Sequence, residues 1–233
     1  MENILKGKFI SWNGDSICAG AGCLGGYAKI ICDRAGAEYE NLGVGGGTIT
    51  AGLYSKVSGA PRHSICLTVD NMNKDADYAI LEGGVNDASL NREYNEPLFG
   101  EITDGYKGPF DESTFCGAFE STLKKLTVRF AGKKYGYIAV HQMTEKFRAC
   151  YTGEDSFYLA TKKICEKWGV PFLDLNISVP PFAYFKEEVD AELYEIKKSY
   201  TKNGDGWHPN EEGYKKYYCD KIEAWLISLC RNS

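Results

Sequence analysis

No apolar run in this 233-residue chain approaches the length needed to cross a bilayer. Dense lysine or arginine tracts are also missing and the formal net charge is −5, which argues against a nucleic-acid partner. The opening residues, Met1 to Lys8, lack the layout of a secretory leader and lead straight into a strand pattern. Histidine is scarce: His63, His141 and His208 are the only three. Cysteine is plentiful at nine, yet the nine are scattered, with no Cys-x-x-Cys pair and no histidine at zinc-ligand spacing. That pattern argues against a metal site and a disulfide framework. It leaves reduced thiols in a cytoplasm as the expectation, most of them acting as small buried hydrophobes.

What is present alternates. Short apolar runs predict strands over Lys8 to Trp12, Glu38 to Leu42, Tyr78 to Glu82, Tyr135 to Val140 and Phe172 to Leu175. Helical patterns fall over Leu24 to Ala35, Phe115 to Phe130, Ser156 to Trp168 and Asn210 to Cys230. In the second of these, Phe119, Leu123, Leu126 and Phe130 share a face; in the last, Tyr214, Tyr218, Ile222, Trp225 and Leu229 do. Pro209 followed by Glu211 and Glu212 suits a helix start. Strands separated by helices require crossovers, hence a parallel sheet. No repeat, linker or low-complexity tract breaks this rhythm. Residues 1–233 are therefore expected to form one α/β domain, a three-layer α/β/α sandwich around a five-stranded parallel sheet.

In such sheets ligands bind beyond the carboxyl ends of the strands. Four polar turns would meet on that rim. Gly14-Asp15-Ser16 follows the first strand, Asn41 to Thr48 the second and Gly83-Gly84-Val85-Asn86-Asp87 the third, and Asp205-Gly206-Trp207-His208-Pro209 comes after the fifth. Ser16 supplies a hydroxyl nucleophile. A base that works near neutral pH is most often histidine. His63 lies in a polar stretch without a nearby acid and His141 ends an apolar run; only His208 has an aspartate three residues earlier. From one tight loop Asp205 can accept from the imidazole N–H and fix its tautomer. Taken alone, the same loop suits a solvated turn before a helix. The four turns together point to acyl transfer, with the Ser16 N–H, the glycine cluster at 43–47 and the Asn86 amide as candidate oxyanion donors. Asp15 is a competing carboxylate. Placed beside Ser16, it is expected to brace the loop rather than reach His208.

These four segments resemble the GDSL esterases, or SGNH hydrolases. Gly14-Asp15-Ser16-Ile17 is similar to the family's first block, with isoleucine where leucine is usual. Asn41-x-Gly43-x-Gly45-Gly46 is similar to the second, Gly84-Val85-Asn86-Asp87 to the third and Asp205-x-x-His208 to the last. The blocks occur in the family's order and span nearly the whole chain. The resemblance implies the flavodoxin-like SGNH hydrolase fold. It implies Ser16 as nucleophile, His208 as general base and Asp205 as the residue that orients it. It implies an oxyanion hole formed by the N–H groups of Ser16 and Gly46 and the side chain of Asn86. Within Gly45-Gly46-Gly47 the match shifts by one residue either way. No metal and no organic cofactor is implied.

The segment Gly20-Ala21-Gly22-Cys23-Leu24-Gly25 fits the dinucleotide fingerprint, with Glu38 or Glu40 at the distance of a ribose-binding acid. Its placement argues against that role, because Asn13 to Ala19 separate it from the strand. A non-catalytic carbohydrate-binding module is the other rival, since a fold does not settle a function. Two long segments, Ala88 to Thr114 and Asn176 to Asn203, flank the site and suit lids or binding walls. Their aromatics, among them Tyr94, Phe99, Tyr106, Phe110 and the run Val179 to Phe185, are expected mostly to pack on each other and on the core. Trp207 is the best candidate for a substrate contact. The family's range extends to lysophospholipids and thioesters. With no basic amphipathic helix to seat on a lipid surface, a short-chain, acetyl-type ester of a carbohydrate or small metabolite is the expected substrate. Membrane insertion is not expected, and a homo-oligomer is compatible with the sequence.

Overall fold

Strands covered on both faces are written as short apolar runs, and such runs form the centre of the sheet. A computed structural model describes residues 3–141, 156–180, 182 and 189–230. The strands are β1 Phe9–Asn13, β2 Glu38–Asn41, β3 Tyr78–Glu82, β4 Lys134–Ala139 and β5 Phe172–Asp174. Their order is β2-β1-β3-β4-β5, and every pairing is parallel. Each expected strand is found, with its ends shifted by a residue at most.

The helices are α1 Ser16–Ala19, α2 Gly26–Ala35, α3 Ile65–Thr68, α4 Val85–Tyr94, α5 Phe115–Arg129, α6 Phe157–Trp168, α7 Leu175–Ser178 and α8 Ala191–Lys198. The last, α9, runs through Glu211–Gly213, Tyr214–Cys219 and Asp220–Leu229, and its middle stretch is wound more widely than an α-helix. Side-chain caps start several of them: Thr114 accepts from Gly117 N–H at α5 and Ser156 from Leu159 N–H at α6.

Successive residues on a strand point to opposite faces, which separates the helical layers. Gly136 on β4 lies against Trp225 of α9, whereas its neighbour Tyr137 meets Phe119 of α5 with ring centroids 4.9 Å apart. Trp12 on β1 packs edge-on against Tyr27 of α2, which also stacks on Tyr218 of α9. So α2 and α9 cover one face, and α5, with α6 and α3 packed on it, covers the other. This is the expected three-layer α/β/α sandwich.

Where the elements differ from expectation, burial explains why. Helix α2 starts at Gly26 instead of Leu24, whose side chain is 89% exposed. Helix α4 occupies the start of a segment expected to be loop; only Val85, Asp87, Ala88 and Leu90 of it are buried, too weak a stripe to read. Helix α8 lies within the second expected loop and buries no residue at all. The eight described cysteines are free thiols, six of them buried; Cys150 lies outside the described residues. Among the described residues no helix is long and apolar enough to cross a membrane.

Strand β1 has β2 on one side and β3 on the other, so the chain reverses its direction of winding there. A crevice opens beyond the carboxyl ends at such a point.

Candidate active site

The crevice is built by the turns that leave β1, β2 and β3. After β1 the chain passes Gly14 and Asp15 and enters α1 at Ser16. Asp15 caps that helix: Ile17 N–H donates to its Oδ1 at 2.8 Å. Ser16 thus projects from a first helical turn, and its own N–H donates to no described residue.

Opposite stands the loop before α9. Its aspartate folds back on the chain, accepting from Trp207 N–H at 2.7 Å and His208 N–H at 3.0 Å through Oδ1. The other oxygen, Oδ2, lies 2.8 Å from His208 Nδ1. His208 Nε2 in turn lies 3.0 Å from Ser16 Oγ, across 192 residues of sequence. With Asp205 accepting at Nδ1–H, the imidazole presents Nε2 as an acceptor to the serine hydroxyl. Asp15 braces its loop as the sequence leads one to expect: it caps α1 and meets Asn86, and it makes no bond to His208.

The third wall is the turn after β2. Its glycines are not equivalent. Gly47 N–H donates to Val44 O at 2.9 Å, whereas Gly46 N–H donates to no described residue. Gly46 sits at φ +74, in the left-handed region that a side chain would strain. Arg62 clamps this turn from outside, its Nη1 donating to Gly46 O at 2.8 Å. Asn86, in the first turn of α4, donates from Nδ2 to Gly47 O at 2.9 Å and reaches Asp15 Oδ2 at 3.4 Å. One amide hydrogen is therefore firmly held and the other only loosely.

Ser16, Gly45, Gly46, Asn86, Trp207 and His208 line one cavity of about 350 Å³, closed by Ile17, Ala21 and Val85. The candidates Ser16, Gly46, Asn86, Trp207 and His208 are thus brought to one place, with Asp205 bonded to His208. The two flanking segments behave otherwise. None of their described residues lines this cavity. Phe99 packs on Phe115 and Phe157, and Phe110 and the exposed Tyr106 lie against Trp168, while Tyr94 is exposed. Phe182 is buried against His141; Pro181 and Ala183 to Phe185 lie outside the described residues.

The remaining histidines have other partners. His63 Nε2 meets Asn13 and Thr68, and burial lowers its pKa. His141 is fully buried beside Tyr218, with its pKa pushed down to about 3 by burial. The glycine-rich Gly20 to Gly25 segment has a packing explanation. A Cβ at Gly22 would stand 2.2 Å from the Pro209 carbonyl oxygen, so this turn lies flush against the loop that carries His208. Glu40, a candidate ribose acid, accepts from Ser11 Oγ at 2.6 Å instead.

Two features of the site carry no signal in sequence. Glu82 reads as the end of a strand, yet its carboxyl lies buried behind Ser16, accepting Cys18 N–H at 3.0 Å. Arg62 reads as a surface cation. Among the described residues no group of three or more histidine, cysteine or acidic side chains is placed to hold a metal ion.

A hydroxyl, an imidazole and a carboxyl thus stand bonded in series at the switch point of a parallel three-layer sheet. The GDSL-like Lipase/Acylhydrolase family matches residues 13–216, and the chain belongs to that family. It is therefore an acylhydrolase, a carboxylic ester hydrolase, as the resemblance of the four turns implied. Solved structures agree on the fold. A protein from Lactobacillus plantarum is 22% identical with a TM-score of 0.68, covering 96% of this chain and 98% of its own. A carbohydrate acetylesterase family member from Sinorhizobium meliloti is 13% identical with a TM-score of 0.59, covering 95% and 98%. An alpha/beta hydrolase enzyme from the metagenome of Lake Arreo, Spain, is 17% identical with a TM-score of 0.55, covering 98% and 99%. At these identities the likeness establishes the fold alone. No curated protein matches the chain.

Proposed function

We propose that this acylhydrolase removes short acyl groups, acetyl foremost, from a carbohydrate or small metabolite, with Ser16, His208 and Asp205 as its triad. The observation that carries the reading is the unbroken series Asp205 Oδ2, His208 Nδ1, His208 Nε2, Ser16 Oγ, at 2.8 Å and 3.0 Å. His208 takes the Ser16 proton as the hydroxyl attacks the ester carbonyl, and Asp205 stabilises the imidazolium that forms. The carbonyl oxygen gains charge beside Ser16 N–H, Gly46 N–H and the loosely held Asn86 hydrogen, the groups free to donate. The imidazolium returns its proton to the leaving alcohol. Water, deprotonated by the same histidine, then releases the acid from Ser16.

The short-acyl preference is supported by the size of the cavity, about 350 Å³, at the small end for ligand sites. Its apolar lining comes from the short side chains of Ile17, Ala21 and Val85, with Trp207 beside them. The Sinorhizobium relative, a carbohydrate acetylesterase family member, supports the same direction. Trp207, half-buried at the mouth, offers its ring to the alcohol half; aromatic faces suit sugars.

Hydrolysis of p-nitrophenyl acetate, butyrate and octanoate by the wild type and by Ser16→Ala tests this. Acetate should be turned over fastest, and the serine variant should be silent on all three. Equal slow release by both proteins would remove Ser16 from the chemistry. Fastest turnover of octanoate would overturn the short-acyl assignment.

A further inference from the structure

Two carboxyl groups lie back to back under the nucleophile. Asp15 and Glu82 are each 1% exposed, and their side chains are within hydrogen-bonding reach of one another. Neither is paired with a lysine or arginine among the described residues. The groups around them are themselves weak acids or neutral. Cys18 comes from α1, Tyr27 from α2, and Tyr214 and Tyr218 from α9; burial raises the pKa of all four. Asp87 of α4 is a further buried carboxyl, satisfied by Ile49 N–H, Thr50 N–H and Thr50 Oγ. Among the described residues around them, positive charge can come from His208, on the far side of Ser16. Two adjacent carboxylates in such a place repel each other without compensation, and one of them keeps its proton.

The hydrogen bonds say which. Asp15 already accepts N–H groups at both oxygens, from Ile17 at 2.8 Å and Asn86 at 3.4 Å, which suits a carboxylate. Glu82 accepts Cys18 N–H at Oε2 and also faces the Asp15 backbone N–H, while its buried Oε1 is left without a hydrogen-bond partner. A hydroxyl at Oε1 is the arrangement that satisfies every atom.

We propose that Glu82 and Asp15 share one proton beneath Ser16, Glu82 donating through Oε1 to the Asp15 carboxylate, and that the pair positions Asn86 in the oxyanion hole. The unit then carries a single negative charge. Asp15 directs it to the α1 N–H group and to the Asn86 amide, whose other hydrogen is fixed on Gly47 O. Glu82 is thus a positioning residue: it touches no substrate and acts through Asp15 and Asn86. Burial raises the pKa of both carboxyls, in keeping with a retained proton. The positioning half of the inference rests on Asn86 being an oxyanion donor.

The test is infrared spectroscopy of the whole protein at about pH 8, where exposed carboxyls are ionised. The wild type should show the carbonyl stretch of a protonated carboxyl, and Glu82→Gln should lack it. Absence of that band in the wild type overturns the shared proton. Glutamine reproduces the donor and acceptor of the protonated acid, so Glu82→Gln should keep kcat within roughly threefold, while the apolar Glu82→Leu should lower it about ten- to a hundredfold at little change in KM. A folded Glu82→Gln protein as impaired as Glu82→Leu overturns the assignment of Glu82 as the acid. Unchanged turnover in Asn86→Ala overturns the positioning role and the oxyanion reading together, and leaves the band as the separate measure of the proton.

Discussion

Asp15 and Asp205 stand on opposite sides of the same serine–histidine contact, and exposure separates their chemistry. The Asp205 side chain is 32% accessible and receives two backbone N–H groups besides the imidazole. Its free oxygen faces the imidazole at 2.8 Å, where it can stabilise a cation that forms beside it. Asp15 is 1% exposed, with a second carboxyl at its back. Burial raises its pKa, and its bonds go to structure: a helix start and an amide. The same side chain serves as a charge partner at the rim and as a brace a few ångströms deeper. Adjacency in sequence fits Asp15 to bracing the serine's loop, and the fold gives the histidine to the aspartate far along the chain.

The comparison can be broken by substitution. Ser16→Ala removes the group both aspartates serve and should cost on the order of 10⁶ in kcat, measured on p-nitrophenyl acetate. Asp205→Asn should cost about 10⁴ by releasing the histidine tautomer. Asp15→Asn, assayed alongside, should cost far less, and an equal loss would erase the distinction between the two residues. Asn86→Ala, removing one oxyanion donor, should lower kcat roughly 10²–10³-fold with KM little changed. The smallest effect is thermal. Glu82 has its pKa raised well above 4.5 by burial, so the folded protein holds a proton that the unfolded chain releases. Stability is then full below about the ordinary carboxyl value and falls as pH rises toward the folded pKa. Melting curves at about pH 5 and pH 9 should show Glu82→Gln gaining on the wild type at the alkaline end. A gap that is constant with pH would mean Glu82 titrates as it does in the unfolded chain.

Much of this is legible in the amino-acid sequence. Parallel strands must be apolar to be covered on both faces, so β1, β3 and β4 announce themselves, and loops at their carboxyl ends have to carry the chemistry. Ser16, Asn86 and His208 become candidates that way. What escapes lacks a periodic signature. Helix α8 buries nothing, and α4 buries an aspartate among its few inward residues. Gly20 and Gly22 imitate a phosphate-binding turn because close contact with a peptide carbonyl and close contact with a phosphate call for the same missing side chain. Glu82 terminates an apolar strand in the same way whether its carboxyl faces water or a second acid. Only the position of Asp15 behind it tells the two apart.

The contact between Ser16 and His208 joins residues 192 positions apart, and Gly22 seats the loop that makes it against Pro209. A chain emerging from the ribosome therefore carries its hydroxyl long before it carries the base to activate it. No fragment ending ahead of His208 holds the pair, and local folding around either end cannot assemble it. Contacts so distant in sequence form late and slowly. Recovery of ester turnover during refolding thus reports when the first and last parts of the chain have met.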